Sequence, residues 1–164
     1  MVRESQLTRR EMLVSTMRAL ATGAVAGTII PALADATSAP TPLTVYKDPS
    51  CGCCTKWVTH MREKGFAPKV SDRSDMDALK DSMGIPVALR SCHTAIAGKY
   101  LIEGHVPAAD VKRLLRLATP GVVGLAAPGM PSGSPGMEGP GTADRYSVIA
   151  FTLNGTASVF AHHG

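Results

Sequence analysis

Residues 43–61 read LTVYKDPSCGCCTKWVTHM and carry both a fold signal and a chemical signal. The segment opens with a short apolar run that is typical of a strand, and a loop with a proline follows it. Three cysteines come next, and Trp57, Val58 and Met61 then recur at the spacing of one helix face. The segment therefore predicts a strand, a cysteine-bearing loop and a helix from Cys53 to Lys64.

The rest of the chain continues this alternation of strand and helix patterns. Its predicted elements are a strand over residues 66–70, a helix over 74–82, a hairpin over 92–105 and a helix from Pro107 to Ala118. Together with residues 43–64 they form the order β-α-β-α-β-β-α. This order, with cysteines directly after the first strand, resembles a thioredoxin-like core, so the predicted fold class is α/β.

The predicted hairpin places two candidate site residues opposite each other. Equal runs flank Gly98-Lys99, and a two-residue turn there pairs Ala97 with Tyr100. Counting outward along both runs pairs Cys92 with His105. In the predicted sheet the third strand is antiparallel to the first, so both residues are expected at the edge where the cysteine triplet follows the first strand.

The composition changes after the last predicted helix. Residues 120–142 contain seven glycines and five prolines, a composition that disfavours a regular helix or a central strand. We predict a long loop over residues 119–142. Strand-like runs then flank Asn154-Gly155 and predict an extra C-terminal hairpin over residues 146–161.

The N-terminus has the features of an export signal. The pair Arg9-Arg10 precedes a mildly apolar stretch that ends in the small-residue cleavage pattern Ala32-Leu33-Ala34, and the pair is typical of a twin-arginine signal. We predict a signal peptide over residues 1–34, a linker over 35–42 and a periplasmic domain over 43–164. An uncut membrane anchor is disfavoured because the stretch is short and rich in glycine, so no stable membrane insertion is expected after cleavage.

Overall composition restricts the function classes further. The 164 residues are 45% hydrophobic and 18% charged, which is typical of a folded domain. The formal net charge is +4, and part of this excess lies in the predicted signal peptide. The charge balance therefore does not predict binding to nucleic acid.

All four cysteines lie in the predicted mature chain. Cys51 and Cys54 have the C-x-x-C spacing of thiol–disulfide proteins, and a helix N-terminus stabilises thiolates. Cys53 is an addition that plain disulfide exchange does not need. Adjacent thiolates repel one another unless a cation binds them, and soft thiolates select copper(I), zinc or iron–sulfur clusters. Tetrahedral zinc usually takes paired motifs, and only one C-x-x-C occurs, so copper(I) is favoured over zinc.

Further candidate ligands lie outside the triplet. Cys92 is expected to face it, and the alternative is a buried small hydrophobic residue. His105 and His93 each fit either a metal ligand or a hydrogen-bonded structural histidine. Met130 and Met137 offer thioethers, which suit copper(I), although methionine also fills gaps in cores.

Four motifs occur in order along the mature chain. They are Tyr46 to Cys54 with Trp57 after it, Ser91 to Ala95, Ile102 to Ala108, and Gly129 to Glu138. Together they resemble the CopG-like family of periplasmic copper-resistance proteins, over residues 43–161. The resemblance implies a thioredoxin-like fold, a periplasmic setting and copper bound through Cys51, Cys53, Cys54 and Cys92.

The leading interpretation is a periplasmic copper(I)-binding protein of copper tolerance, in which metal binding is coupled to thiol or copper redox change. Copper storage, transfer and redox conversion all stay open. The alternative is a thiol–disulfide oxidoreductase that uses Cys51 and Cys54, the two redox candidates; no other residue is assigned to catalysis. A purely structural disulfide domain is disfavoured, since adjacent cysteines form poor cross-links. The expected partners are metal ions and other periplasmic copper-handling proteins.

Overall fold

The computed structural model describes residues 39–164 of the chain. The predicted signal peptide, residues 1–34, and the first part of the predicted linker lie outside these residues. The linker was predicted to reach residue 42, but Thr41 and Pro42 already belong to the first strand. The strand begins earlier because Thr41 N donates to Gly65 O, at the start of the neighbouring strand, over 3.0 Å.

The described residues contain seven strands and three α-helices in one sheet-based unit. In chain order these are β1 (Thr41–Lys47), α1 (Gly52–Glu63), β2 (Phe66–Asp72), α2 (Met76–Ser82), β3 (His93–Ala97), β4 (Tyr100–Gly104), α3 (Ala108–Leu117), β5 (Val122–Ala127), β6 (Tyr146–Thr152) and β7 (Ala157–His163). A short 3-10 helix, Val87–Leu89, lies between α2 and β3. The α/β class is confirmed, and the first seven elements follow the predicted order.

The strands form a single sheet in the order β2-β1-β3-β4-β5-β6-β7. β1 is parallel to β2 and antiparallel to β3, as a crossover through α1 and a return strand require. The end of β1 therefore lies beside the start of β3. This edge of the sheet is where the sequence placed the cysteines. The closer thioredoxin-like assignment remains a prediction.

The hairpin of β3 and β4 has the predicted register. Ala97 pairs with Tyr100, and the ladder continues to the pair Thr94 and Glu103. Gly98 occupies the turn with φ +60°, a left-handed conformation that glycine adopts without steric cost. Residues 92 and 105 both lie just beyond the open end of this ladder, opposite the turn.

The prediction of an unbroken loop over residues 119–142 is wrong for β5. Residues 122–127 form a strand that is parallel to β4 and antiparallel to β6, so it is central rather than peripheral. Its sequence VVGLAA is an apolar run, and the surrounding glycines and prolines obscured it in the composition of the whole segment. Position 124 requires glycine because a side chain there would overlap Leu101 O and the ring of Phe151.

The predicted C-terminal hairpin is confirmed, and it extends two residues further than predicted, to His163. β6 and β7 pair antiparallel, with a register shift between Val148 and Ile149. The turn between them contains Gly155 at φ +81°. β7 is one of the two edge strands of the sheet, and β2 is the other.

Helix α1 packs its predicted apolar face against the sheet. Trp57 and Met61 have no exposed surface and Val58 is 4% exposed. Trp57 Nε1 donates to Val106 O over 2.9 Å, so the buried indole N–H is satisfied. Trp57 is therefore a core residue. Among residues 39–164, no helix has the length and apolar character needed to cross a membrane.

Candidate metal centre

The cysteine triplet lies at the N-terminal end of α1. Cys51 is the N-cap residue, with extended backbone, and its Sγ accepts a hydrogen bond from Cys54 N over 3.3 Å. The turn before it is held by Asp48, whose carboxylate accepts from Ser50 N at 2.8 Å and whose carbonyl accepts from Cys51 N at 3.0 Å. The sulfurs therefore lie where free backbone N–H groups and the helix dipole favour negative charge.

Two of the cysteines are joined in a disulfide. Cys51 and Cys54 form it with a Cα–Cα distance of 5.4 Å, which is ordinary for such a bond. Cys53 and Cys92 are free. Cys53 Sγ is 3.5 Å from Cys51 Sγ, so the third sulfur of the triplet is in van der Waals contact with the disulfide.

Cys92 lies beside the triplet at the edge of the sheet where β1 ends and β3 begins. It directly precedes β3, which runs antiparallel to β1. The sulfurs of all four cysteines lie within 4.8 Å of one another, a cluster with the dimensions of a metal site. The predicted grouping of Cys92 with the triplet is what the structure shows, while ligation by these residues remains a proposal.

Two histidines extend the cluster beyond the sulfurs. Cys92 Sγ is 3.0 Å from His105 Nε2 and 3.4 Å from His93 Nδ1. His105 Nδ1 donates to Pro135 O over 2.7 Å, because a carbonyl oxygen only accepts. In the neutral ring Nε2 is then unprotonated, and its lone pair faces Cys92 Sγ. A hydrogen bond of this kind orients a histidine for metal binding.

Burial controls the protonation of this cluster. Burial, and after it the neighbouring Cys53, raises the pKa of the Cys92 thiol to about 12. Burial also lowers the pKa of His105 and lowers that of His93 well below the ordinary 6.5. At neutral pH the metal-free cluster is therefore a neutral thiol beside two neutral imidazoles. A cation would stabilise the Cys92 thiolate, since metal binding displaces the thiol proton.

The loop from Gly129 to Glu138 lies against the start of α1. Gly136 has φ +86°, and a Cβ on it would lie 2.7 Å from Cys53 O and 2.8 Å from Trp57 N. Pro135, which accepts from His105, precedes this contact. The only residue type that fits here is glycine, so the loop is seated directly over the cysteine-bearing turn.

The two methionines of this loop differ in position. Met137 is partly buried and follows Gly136 in sequence, which brings its backbone beside the turn of Cys53. Met130 lies at the other end of the loop, with 44% of its surface exposed and φ +53°. Met137 is therefore next in sequence to the residue that contacts α1, whereas Met130 is exposed. A thioether role for either residue stays a prediction.

The sequence did not reveal the charged group that supports Cys92. Glu103 has no exposed surface and accepts from Ser91 N at 2.7 Å, which holds the residue before Cys92. Lys80 Nζ lies 2.5 Å from the same carboxylate and is 2% exposed. Glu103 is a charged residue inside an otherwise apolar strand, and this pattern could have indicated a buried charge. Its partner Lys80, on α2, could not be identified from sequence spacing.

Comparisons with known proteins show what the chain is similar to. A family model described as "Protein of unknown function, DUF411" matches residues 89–137, which include Cys92 and His105. No curated protein sequence matches the chain.

Two solved structures resemble the chain. One is named copper resistance protein CopG, form 2, with a TM-score of 0.72 and 42% sequence identity over 76% of this chain and 99% of that chain. The other is form 1 of the protein with the same name, with a TM-score of 0.71 and 42% identity over 76% of this chain and 98% of that chain.

Proposed function

The chain belongs to the family of the copper resistance protein CopG, and we propose from this that it is a periplasmic copper(I)-binding protein of copper tolerance. The observation that carries the proposal is the group of four cysteine sulfurs within 4.8 Å of one another. Cys51, Cys53, Cys54 and Cys92 would hold the metal. How copper binds to these thiols and leaves them would decide whether the protein stores copper, transfers it or converts its oxidation state.

The donor set favours a soft monovalent ion. Thiolates are soft ligands that select copper(I), and the half-buried cluster excludes much of the water that hard ions retain. Structural zinc sites usually take two paired motifs, whereas here one C-x-x-C is combined with single cysteines. Met137, which follows the Gly136 contact with α1 in sequence, and Met130 are the thioether candidates of this site.

Copper loading would require the reduced protein. Reduction of the Cys51–Cys54 disulfide takes two electrons and two protons, which an external dithiol supplies as it becomes a disulfide itself. Copper(I) then replaces the thiol protons as the sulfurs bind it. Metal binding and thiol redox chemistry are coupled through these two cysteines in this proposal.

An oxidising compartment is consistent with this chemistry. Disulfides persist in the periplasm and are rare in the cytosol, and the chain carries a twin-arginine-type pattern before residue 34. We propose export by this signal, cleavage after Ala34 and exchange of copper with other periplasmic copper-handling proteins.

Anaerobic competition titration tests the metal preference. The reduced protein should bind copper(I) far more tightly than zinc, and Cys53→Ser should weaken copper(I) binding by about tenfold or more. Lys56→Ser, on the exposed face of the same helix, is the matched control and should bind as the wild type does. A preference for zinc, or unchanged copper(I) affinity in Cys53→Ser, would refute the proposal.

A second candidate function is supported by the disulfide itself. Cys51 and Cys54 form it at the N-terminus of α1, the position at which thiol–disulfide oxidoreductases stabilise a thiolate. In that reaction a substrate dithiol would pass two electrons to this disulfide. Cys53 separates the two functions, because Cys53→Ser should spare disulfide exchange while it disrupts copper(I) binding.

A further inference from the structure

We propose that the protein docks on the surface of an anionic phospholipid bilayer through the edge of the sheet opposite the cysteines. This edge carries exposed cations and two exposed leucines. We call it the basic edge, and its residues are Lys64, Lys99, Lys112, Arg116, Leu117 and Leu153. The proposal concerns a contact with the bilayer surface rather than a span, and it depends on neither metal binding nor thiol chemistry.

Strand register places these residues at one end of the sheet. β1 and β2 both begin there, since Thr41 pairs with Phe66. β3 is antiparallel to β1, so β3 ends there and β4 begins there, at the turn that contains Lys99. β5 is parallel to β4 and antiparallel to β6, so β6 also ends at this edge and Leu153 follows it. The cysteines follow the other end of β1, so the two features lie at opposite edges.

Two helices end at the same edge. Lys64 is the C-cap residue of α1, and Leu117 is the last residue of α3 before the chain turns into β5. Lys112 lies about one turn earlier in α3, but its Nζ is 5.9 Å from the centre of the Phe66 ring. The same Nζ would lie 3.7 Å from a Cβ on Gly65. The Lys112 ammonium therefore reaches the basic edge.

The four cations of the basic edge are exposed and free of ion pairs. Within residues 39–164, none of them has a carboxylate oxygen within 4.0 Å. The acidic residues Asp48, Asp72 and Asp144 follow or precede strands at the opposite edge, beside the cysteines. This separation of charge attracts an anionic surface to the basic edge and leaves the cysteine edge facing away from it.

Two large apolar side chains accompany these cations. Leu117 is 60% exposed and Leu153 is 80% exposed. The dipoles of α1 and α3 favour cations at their C-termini, which accounts for part of the charge but not for the leucines. Lysine and arginine beside exposed leucine are typical of surfaces that bind at the bilayer interface, where the cations meet headgroups and the apolar side chains enter the acyl boundary.

A cavity on this edge provides a place for a headgroup phosphate. It has a volume of about 340 Å³ and is lined by Pro40, Thr41, Gly65, Lys112, Leu115 and Arg116. Two cationic side chains from successive turns of α3 thus face one concave space. Lysine binds phosphate as a point charge and arginine binds it through two parallel N–H donors, so the pair suits a phosphate ester.

The connection to the rest of the chain favours a bilayer over an acidic protein as the occupant. β1 begins at Thr41 on the basic edge, so residues 1–38 join the domain there. The predicted export signal lies within those residues, and such a signal meets the membrane before it is cleaved. The edge from which the export signal leaves the domain is thus the edge that carries the unpaired cations and the exposed leucines.

Vesicle co-sedimentation tests the proposal. Protein isolated from the periplasm is mixed at low salt with vesicles of phosphatidylglycerol or of phosphatidylcholine. We expect sedimentation with phosphatidylglycerol and not with phosphatidylcholine. Sedimentation should be lost at about 1 M salt, where the Debye length is about 3 Å. Failure to sediment with phosphatidylglycerol vesicles at low salt would overturn the proposal.

Two charge-matched double variants locate the contact. Lys112→Gln with Arg116→Gln should lower partitioning onto phosphatidylglycerol vesicles by about tenfold or more. Lys56→Gln with Arg145→Gln removes the same charge from exposed positions at the cysteine edge and should change partitioning by less than about twofold. Near-ultraviolet circular dichroism should show that both proteins keep the folded environment of Trp57. Equal losses in the two folded proteins would mean that only net charge matters, against the proposal.

Leu153→Ser separates a bilayer from other anionic partners. It should weaken vesicle binding by about threefold, because its apolar side chain enters the bilayer, and should not alter binding to soluble polyglutamate. Inorganic phosphate should displace the protein from vesicles no more than chloride does at equal ionic strength. Binding to polyglutamate without binding to vesicles would assign the basic edge to an acidic protein instead. Specific displacement by phosphate would assign it to a free anion, and either result would overturn the proposal.

Discussion

Glu103 joins three segments of the protein through one carboxylate. Oε1 accepts from Ser91 N at 2.7 Å and lies 2.5 Å from Lys80 Nζ, while Oε2 accepts from Thr94 Oγ1 at 2.6 Å. Lys80 also donates to Thr94 Oγ1 at 2.9 Å. The Lys80 ammonium, the Thr94 hydroxyl and both carboxylate oxygens thus have hydrogen-bond partners, which is the condition under which a buried ion pair is tolerated.

Removal of one member of this pair should be costly. Glu103→Gln leaves the Lys80 ammonium buried without a counter-charge, and we expect the free energy of unfolding to fall by about 3 kcal/mol. Urea denaturation followed by Trp57 fluorescence measures this loss.

The double variant Lys80→Met with Glu103→Leu provides the control. It replaces both charges with apolar groups and should be much less destabilised than Glu103→Gln. If the single and double variants were equally unstable, packing rather than the uncompensated charge would account for the loss.

At the scale of elements, the contact between the Gly129 to Glu138 loop and α1 depends on one glycine. A Cβ at Gly136 would approach Cys53 O and Trp57 N within 2.8 Å, and helix backbone cannot move aside. The φ of +86° adds strain for any other residue. The loop can therefore pack against α1 only because residue 136 has no side chain.

Gly136→Ala should displace the loop from the helix. We expect a loss of about 2 kcal/mol in the free energy of unfolding, from overlap and backbone strain together. Denaturant titration measures the loss. Gly139→Ala, directly after this loop, is the matched control, because nothing lies within 4 Å of a Cβ built there, and it should stay within about 0.5 kcal/mol of wild type. Equal stability of the two variants would contradict the close contact between Gly136 and the backbone of α1.

His60 connects α1 to the first turn of α3. Its Nε2 accepts from Ala108 N over 3.3 Å, which satisfies one free N–H at the start of that helix. Burial, more than the charge of Lys64, lowers the pKa of His60 from 6.5. The neutral ring is the form that accepts this hydrogen bond.

The depressed pKa of His60 sets a direction for the pH dependence. Below pH 6.5 the unfolded chain binds a proton that the folded protein resists, so stability falls as pH falls through this value towards the folded pKa. His60→Gln keeps an acceptor but does not titrate. Urea denaturation of the metal-free protein at pH 7.5 and pH 5 should show a smaller loss on acidification for His60→Gln than for wild type. An identical loss of stability in wild type and His60→Gln would mean that His60 does not contribute to the pH dependence of stability.

At the scale of the whole molecule, disulfide formation and copper(I) binding should exclude each other. The Cys51–Cys54 bond removes two of the four sulfurs that would bind copper(I) and leaves Cys53 and Cys92. Bound copper should in turn protect the thiolates, since exchange requires a free thiolate. The reduced, copper-loaded state and the oxidised state would then alternate.

Oxidation of the metal-free protein tests this exclusion. After the disulfide has been mapped, copper(I) affinity is measured without added reductant, and we expect it to fall by more than about tenfold relative to the reduced protein. Undiminished affinity in protein shown to hold the Cys51–Cys54 bond would mean that the copper(I) ligands lie elsewhere.

Local patterns predicted a large part of this protein. The apolar face of α1, the two-residue turn between β3 and β4 and the Asn154-Gly155 hairpin depend on residues close together in sequence, and all three are present. The approach of Cys92 to the triplet also followed from sequence, because an antiparallel third strand must begin where the first one ends.

Tertiary structure decided the features that depend on contacts between distant residues. β5 is a strand because β4 and β6 supply hydrogen bonds on both sides, which outweigh the local signal of the glycines and prolines around it. Likewise, the Lys80 and Glu103 pair and the contact of Gly136 with α1 join segments that no spacing rule relates. The sequence by itself predicted which cysteines lie together. Packing determined which histidines, loop and buried charges surround them, since burial and partner geometry arise only in the folded chain.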